Sequence, residues 1–116
     1  MERIDLSKIS GIKRCQVNEM IKAARKYPFV RRLIIFGSSV TDCCTEESDI
    51  DVCMDVGEKT DGLDLFNFHA DICKICDYNC DVLNYHRLKG RLKNEIDEKG
   101  VVVYACQPPR ILNDRA

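Results

Sequence analysis

Apolar positions along this chain alternate between a spacing of three to four and a spacing of two. Val17, Met20, Ile21 and Ala24 fall at i, i+3, i+4 and i+7, which predicts a helix from about Lys13 to Tyr27, stopped by Pro28. Val30 to Phe36 is β-branched and apolar throughout and reads as a strand, broken sharply at Gly37-Ser38-Ser39. From Val40 to Ser48 the chain is polar and predicts a short helical turn and a loop, with Glu46 and Glu47 solvated. Asp49 to Val56 is a second strand, with Ile50, Val52, Met54 and Val56 on one face and the acids Asp49 and Asp51 on the other. Gly57 to Gly62 forms a loop in which Thr60 or Asp61 can cap the next helix. That helix, Leu63 to about Cys76, carries two apolar stripes: Leu63, Phe66, Ala70 and Cys73, then Leu65, Ile72 and Cys76. Two stripes suggest a largely buried helix, set between the sheet and a partner chain. After a turn at Asp77-Tyr78-Asn79, Cys80 to Asn84 is a short third strand. Tyr85 and His86 then lead into a helix to about Glu98, with Leu88, Leu92 and Ile96 inward, Gly100 as its C-cap and Val101 to Tyr104 as a last strand.

Strands thus alternate with helices of more than ten residues, so an α/β fold is expected, a small mixed sheet of about four strands packed with helices. One domain spans residues 1–116, with a core of about 13–105, a loosely attached start over residues 1–12 and a polar tail over 106–116. Composition supports this: 45% hydrophobic and 32% charged residues describe an ordinary globule. A net charge of −1 argues against an obligatory nucleic-acid partner. No apolar run approaches the roughly 20 residues that cross a bilayer, and the start lacks a basic-then-apolar signal pattern, so a cytoplasmic protein without a membrane partner is expected. Its eight cysteines should then stay reduced and act mostly as small core residues.

The chemistry concentrates between Leu33 and Asp55. Asp49 and Asp51, two residues apart in a strand, project to one face about 6.6 Å apart. Like charges so placed call for a cation between them, and Mg²⁺ with oxygen ligands is the common answer; an edge strand with an acidic solvent face is the plainer alternative. Upstream, Gly37 permits a tight turn whose amides can face an anion, and Ser38 and Ser39 add hydroxyls, although the same residues make ordinary caps. The combination is more telling than its parts: Gly-Ser, ten residues, then Asp-Ile-Asp. A second cluster, His69, Cys73, Cys76 and Cys80, has a spacing that could bind zinc, but equally forms the i, i+4, i+7, i+11 stripe of a buried helix face. His86 could approach a pocket or simply begin the last helix.

The Gly37-Ser38 and Asp49-Ile50-Asp51 pattern resembles the nucleotidyltransferase motif of the DNA polymerase β superfamily, and the short chain resembles its minimal nucleotidyltransferase (MNT) branch. Members of that branch are typically paired with HEPN-domain proteins as toxin–antitoxin modules. The resemblance covers roughly residues 13 to 105 and implies a polymerase β-like fold. It also implies a third carboxylate on a later strand, where Asp81 stands, and assigns Asp49, Asp51 and Asp81 to catalysis and to two Mg²⁺ ions. The β- and γ-phosphates of a nucleoside triphosphate fall to the Gly37, Ser38 and Ser39 turn. Many relatives carry Arg directly after Gly-Ser and a Gly a few residues on, whereas this chain has Ser39, Val40, Thr41 and Asp42. The implied function is transfer of AMP from ATP to a hydroxyl, most naturally a tyrosine, of a HEPN-type toxin, which makes this chain the antitoxin. Two alternatives stay open: a module that neutralises its partner by contact alone, and a nucleotidyltransferase acting on a small molecule such as an antibiotic.

Overall fold

In the computed structural model, which describes residues 4, 6–57 and 60–106, the sheet is built outward from two strands buried on both faces. These are β1 (Val30–Phe36) and β2 (Ile50–Val56), antiparallel, with Ile35 opposite Val52 and Phe36 opposite Asp51. β3 (Cys80–Asn84) runs parallel to β2, and β4 (Val101–Ala105) antiparallel to β1, giving the order β3-β2-β1-β4. A parallel β2–β3 pair requires a crossover, and α2 (Gly62–Ile75) supplies it.

One face of the sheet is covered by α1 (Arg14–Ala24) and α2. Val17, Met20 and Ile21 of α1 and Phe68 and Ile72 of α2 join Leu33, Ile35, Ile50 and Val52 in the main core. The other face holds a smaller core in which Ile34, Cys53 and Ile96 meet, the last from α3 (Gly90–Lys99). The expected mixed sheet packed with helices is therefore what forms, with all four strands within a residue of their predicted bounds.

Three details depart from the sequence reading. From Leu6 onward the first residues are not loose: Leu6–Lys8 form a 3₁₀ turn, Ile9 is buried in the main core, and the Ser10 amide donates to the Ser39 carbonyl (2.8 Å). Their apolar residues are too few to show a period, but Leu6 and Ile9 pack on the core. Helix α2 is not buried over its first turns; Leu63 and Phe66 are about two-thirds exposed, and only Phe68 and Ile72 are fully covered. The helix after β3 does not begin at Tyr85. The Asn84 side chain accepts from the His86 amide and caps a separate 3₁₀ turn, Tyr85–Arg87, after which Leu88 and Lys89 are extended and Gly90 takes a φ of +64°. Gly100 is the C-cap of α3, as expected, with a φ of −66° and its amide on the Ile96 carbonyl. A Cβ there would overlap the Ile96 carbonyl (2.5 Å) and the Ile34 side chain (2.6 Å), and glycine is required because α3 enters β4 against β1. Asp61 accepts from the Leu63 amide as the cap of α2, and Asp77 and Tyr78 turn the chain at positive φ, as the polar spacing predicts. The expected tail from Gln107 onward lies outside the described residues. Among those described, no helix is long and apolar enough to cross a membrane.

Candidate active site

The alternation that buries Ile50, Val52 and Met54 beneath α1 and α2 turns Asp51, Cys53 and Asp55 to the opposite face of β2. Asp81 pairs with Asp51 across the parallel β2–β3 ladder, and parallel partners project to the same side, so these two carboxylates stand on neighbouring strands roughly 4.8 Å apart. Asp49 lies just before β2 and is exposed, as is Asp81, while Asp51 between them is half-buried. Burial pushes the Asp51 carboxyl above its ordinary range, and the charges of Asp81 and then Asp49 push it further the same way. Asp49, Asp51 and the sequence-distant Asp81 thus share one electrostatic environment.

Against this group lies the end of β1. Phe36 pairs with Asp51, and the next residue, Gly37, opens a 3₁₀ turn over Gly37–Val40 with a φ of +74°. A Cβ on Gly37 would overlap the Asp51 carboxylate, so the glycine is demanded both by its backbone angle and by the close approach of the acid. The two serines that follow diverge. Ser38 is half-buried at the turn surface, and its carbonyl accepts from the Thr41 amide (3.0 Å) and hydroxyl (2.9 Å). Ser39 is fully buried, and its Oγ has no hydrogen-bond partner. The structure therefore brings together Gly37, Ser38, Asp51 and Asp81, with Asp49 at their margin, and turns the Ser39 hydroxyl inward. That inward turn is set by packing of the first residues, through the Ser10–Ser39 hydrogen bond, which no spacing in the sequence reveals.

Directly after Gly37-Ser38 this turn has Ser39 and Val40, and the basic residues Lys8 and Arg14 line a concavity together with Val40 and Thr41 at its end. Lys13 is buried just before α1 with its Nζ on the Glu46 carbonyl (3.0 Å). It holds the loop that leads from the Gly-Ser turn to Asp49.

A neighbouring group was not visible in the sequence. Asp55 is buried and accepts from Arg32 Nε (2.8 Å) and His86 Nε2 (2.9 Å). The Arg32 guanidinium also lies 4.9 Å above the Tyr85 ring, and Tyr85 donates to Asp97 (2.7 Å). The one signal for Asp55 was its place in the two-residue period of Asp49 and Asp51. His86 thus lies in a 3₁₀ turn ahead of α3 and, bonded to Asp55 rather than to Asp49, Asp51 or Asp81, ties the turn after β3 to the sheet.

Among the described residues, no three His, Cys, Asp or Glu side chains are arranged to enclose a metal ion. For the zinc spacing the reason is visible: the buried Cys76 thiol points back at the Ile72 carbonyl (3.3 Å), as a core residue on a helix stripe does. Asp51 stands on an interior strand and Asp81 on the edge strand β3. Two concavities among the described residues, about 740 Å³ beside Arg31, Asp61 and His86 and about 650 Å³ beside Phe66, His69 and Leu83, lie elsewhere. Strand register, which fixes the carboxylates together, is the better guide to chemistry here than concavity.

A sequence model of the family described as polymerase beta, nucleotidyltransferase, matches residues 18–108. No curated protein matches the chain. Several solved structures share its fold. A chain of a toxin–antitoxin complex with AMP-PNP superposes with a TM-score of 0.63 at 20% identity, over 78% of this chain and 73% of that one. A chain of an MntA–HepT toxin–antitoxin complex gives 0.58 at 17% identity, over 79% and 72%. A third belongs to a tri-AMPylated HEPN toxin of Shewanella oneidensis in complex with MNT antitoxin, with a TM-score of 0.61 and 18% identity over 81% and 73%.

Proposed function

Because the chain belongs to the polymerase beta nucleotidyltransferase family, we propose that it transfers AMP from ATP to a hydroxyl of a HEPN-type toxin and is that toxin's antitoxin. The observation that carries this reading is the pairing of Asp51 with Asp81 directly against Gly37, at a turn where no Cβ fits. Structures of the same fold include a toxin–antitoxin complex with AMP-PNP and an AMPylated HEPN toxin bound to its MNT antitoxin, which supports the choice of nucleotide and partner.

The donor set suits Mg²⁺. It consists of hard carboxylate oxygens, and the upward push on Asp51 from Asp81 and Asp49 is the strain of a like-charged group that a divalent cation relieves. An open pair rather than a closed cage also agrees with Mg²⁺, which is usually held by one or two carboxylates together with substrate phosphates. Asp49, Asp51 and Asp81 would hold it, and when bound it offsets charge on the phosphates and on the attacking oxygen.

The chain's own residues then divide the work. The Gly37–Ser38 turn receives the β- and γ-phosphates, as backbone amides at the start of a helical turn can. Asp81, exposed on β3, faces the acceptor and takes the proton of its hydroxyl. The new bond joins the acceptor oxygen to the α-phosphorus; the bond to the β-phosphate oxygen breaks, and pyrophosphate leaves. Positioning accounts for most of the effect, as is general in phosphoryl transfer.

Incubation of the pure chain with its HEPN-type partner, labelled ATP and Mg²⁺ tests the reading. Label on a partner tyrosine is expected; an unlabelled partner refutes it. A second reading, neutralisation by contact alone, is favoured by the lack of a cation after Gly-Ser. It wins if Asp49→Asn with Asp51→Asn abolishes labelling yet leaves the toxin neutralised.

A further inference from the structure

The last turn of α2 and the start of β3 bring together three groups that the nucleotidyl-transfer site does not use. Cys73 Sγ lies 3.6 Å from His69 Nδ1, one helical turn earlier, and 3.8 Å from Cys80 Sγ, whose thiol is placed to donate to it. All three residues are half-buried, and His69 lines the 650 Å³ concavity at the β3 edge, which is open to solvent. Cys76, which caps the helix, is buried with its thiol on the Ile72 carbonyl (3.3 Å) and against Cys80.

We propose that Cys73 and Cys80 are a redox-active pair, in which Cys73 reduces a peroxide with His69 as its base and Cys80 closes a disulfide. A thiol beside a base, with a second thiol in van der Waals contact, is the arrangement that this chemistry requires. Cys73 gives its proton to His69 Nδ1, and its thiolate attacks one peroxide oxygen. An S–O bond forms, the O–O bond breaks, and the departing hydroxide takes the proton from His69 to leave as water. Cys80 then attacks the Cys73 sulfenic acid: the S–S bond forms, the S–O bond breaks, and the Cys80 proton leaves in a second water. Two thiols lose two electrons, and hydrogen peroxide gains them.

Roles divide this way because burial pushes the Cys80 thiol well above its ordinary range, aided by its contacts with Cys76 and Cys73, so that it is the resolving partner rather than the first nucleophile. Cys73 sits beside the imidazole instead. Closing the bond requires the two sulfurs to move from 3.8 Å to about 2.05 Å. The segment between them, with Asp77 and Tyr78 at positive φ, already holds the two ends together through the Tyr78 amide on the Cys73 carbonyl (2.7 Å). This proposal is independent of the transferase reading.

Its test uses the reduced full-length chain, treated with hydrogen peroxide, alkylated and cut with trypsin. Because Lys74 separates the cysteines, a Cys73–Cys80 disulfide joins two tryptic peptides, 60–74 and 75–87, whereas a Cys76–Cys80 bond stays within the second. The joined pair is expected ahead of any oxidation of the exposed Cys15 and Cys43. Cys80→Ser should leave Cys73 as a sulfenic acid that dimedone traps, and His69→Gln should slow its formation about tenfold or more. Oxidation confined to Cys15 and Cys43, a bond within 75–87, or a rate unchanged in His69→Gln overturns the proposal.

Discussion

Gly37 answers to two constraints at once, a φ of +74° and the Asp51 carboxylate that occupies the space of a side chain. Gly37→Ala is therefore expected to cost about 1–3 kcal/mol of stability in urea unfolding and to abolish the proposed nucleotidyl transfer. Asp51 itself makes a pH prediction. Its folded carboxyl is raised above the ordinary 3.8, chiefly by burial, so the folded chain holds that proton more tightly than the unfolded one. Stability from this group is full below 3.8 and is lost as pH rises through the folded value, leaving the ionised acid as a cost at neutral pH. Asp51→Asn should then melt higher than wild type at pH 7, and the advantage should shrink on acidification; a gap independent of pH would count against the shared acidic environment. Ser39 supplies a contrast. Its buried Oγ has no partner, so Ser39→Ala should leave the urea midpoint unchanged or raised, whereas loss of a hydrogen-bonded hydroxyl would cost about 1 kcal/mol. Side-chain period made Asp49 and Asp51 legible before any coordinates, but it could not tell which hydroxyl of Ser38 and Ser39 faces outward, because the first residues decide that.

Strands were the most legible elements, since β-branched and apolar runs bounded by Gly and turn residues leave little choice of period. Helix ends were less so, because the capping by Asn84 and the extended Leu88 and Lys89 depend on side chains meeting a sheet already in place. The second face of the sheet was concealed for a related reason: Cys53 and Asp55 look like alternate polar positions, yet α3 lies over that side. Gly100 shows the strength of this contact. Gly100→Ala should destabilise the chain despite its ordinary φ of −66°, because the added methyl meets Ile96 and Ile34; the measurement is again a denaturant midpoint. Removing the contact from the other side, Ile96→Ala, should cost roughly 2–5 kcal/mol. If Ile96→Ala proved neutral, α3 would not be fixed on the sheet as described.

For the molecule as a whole, the site is a product of strand order. With β3 beside β2 and β1 on its other flank, the Gly-Ser turn, Asp51 and Asp81 meet although they are separated by dozens of residues. A ligand bound there should stabilise the whole fold by mass action: Mg²⁺ with a non-hydrolysable ATP analogue, at about 100 times Kd, should raise Tm by on the order of 10 °C, and should fail to do so in Asp49→Asn with Asp51→Asn. The sequence alone determined the α/β class and the positions of the four strands, because hydrophobic period and turn chemistry are local properties that short stretches carry in full. Only the tertiary structure decided that Ser39 is buried, that Asp55 binds Arg32 and His86, and that Cys73 touches His69 and Cys80. Which side chains share a contact follows from how helices lie across a finished sheet, and that arrangement is a property of the packed core rather than of any one segment.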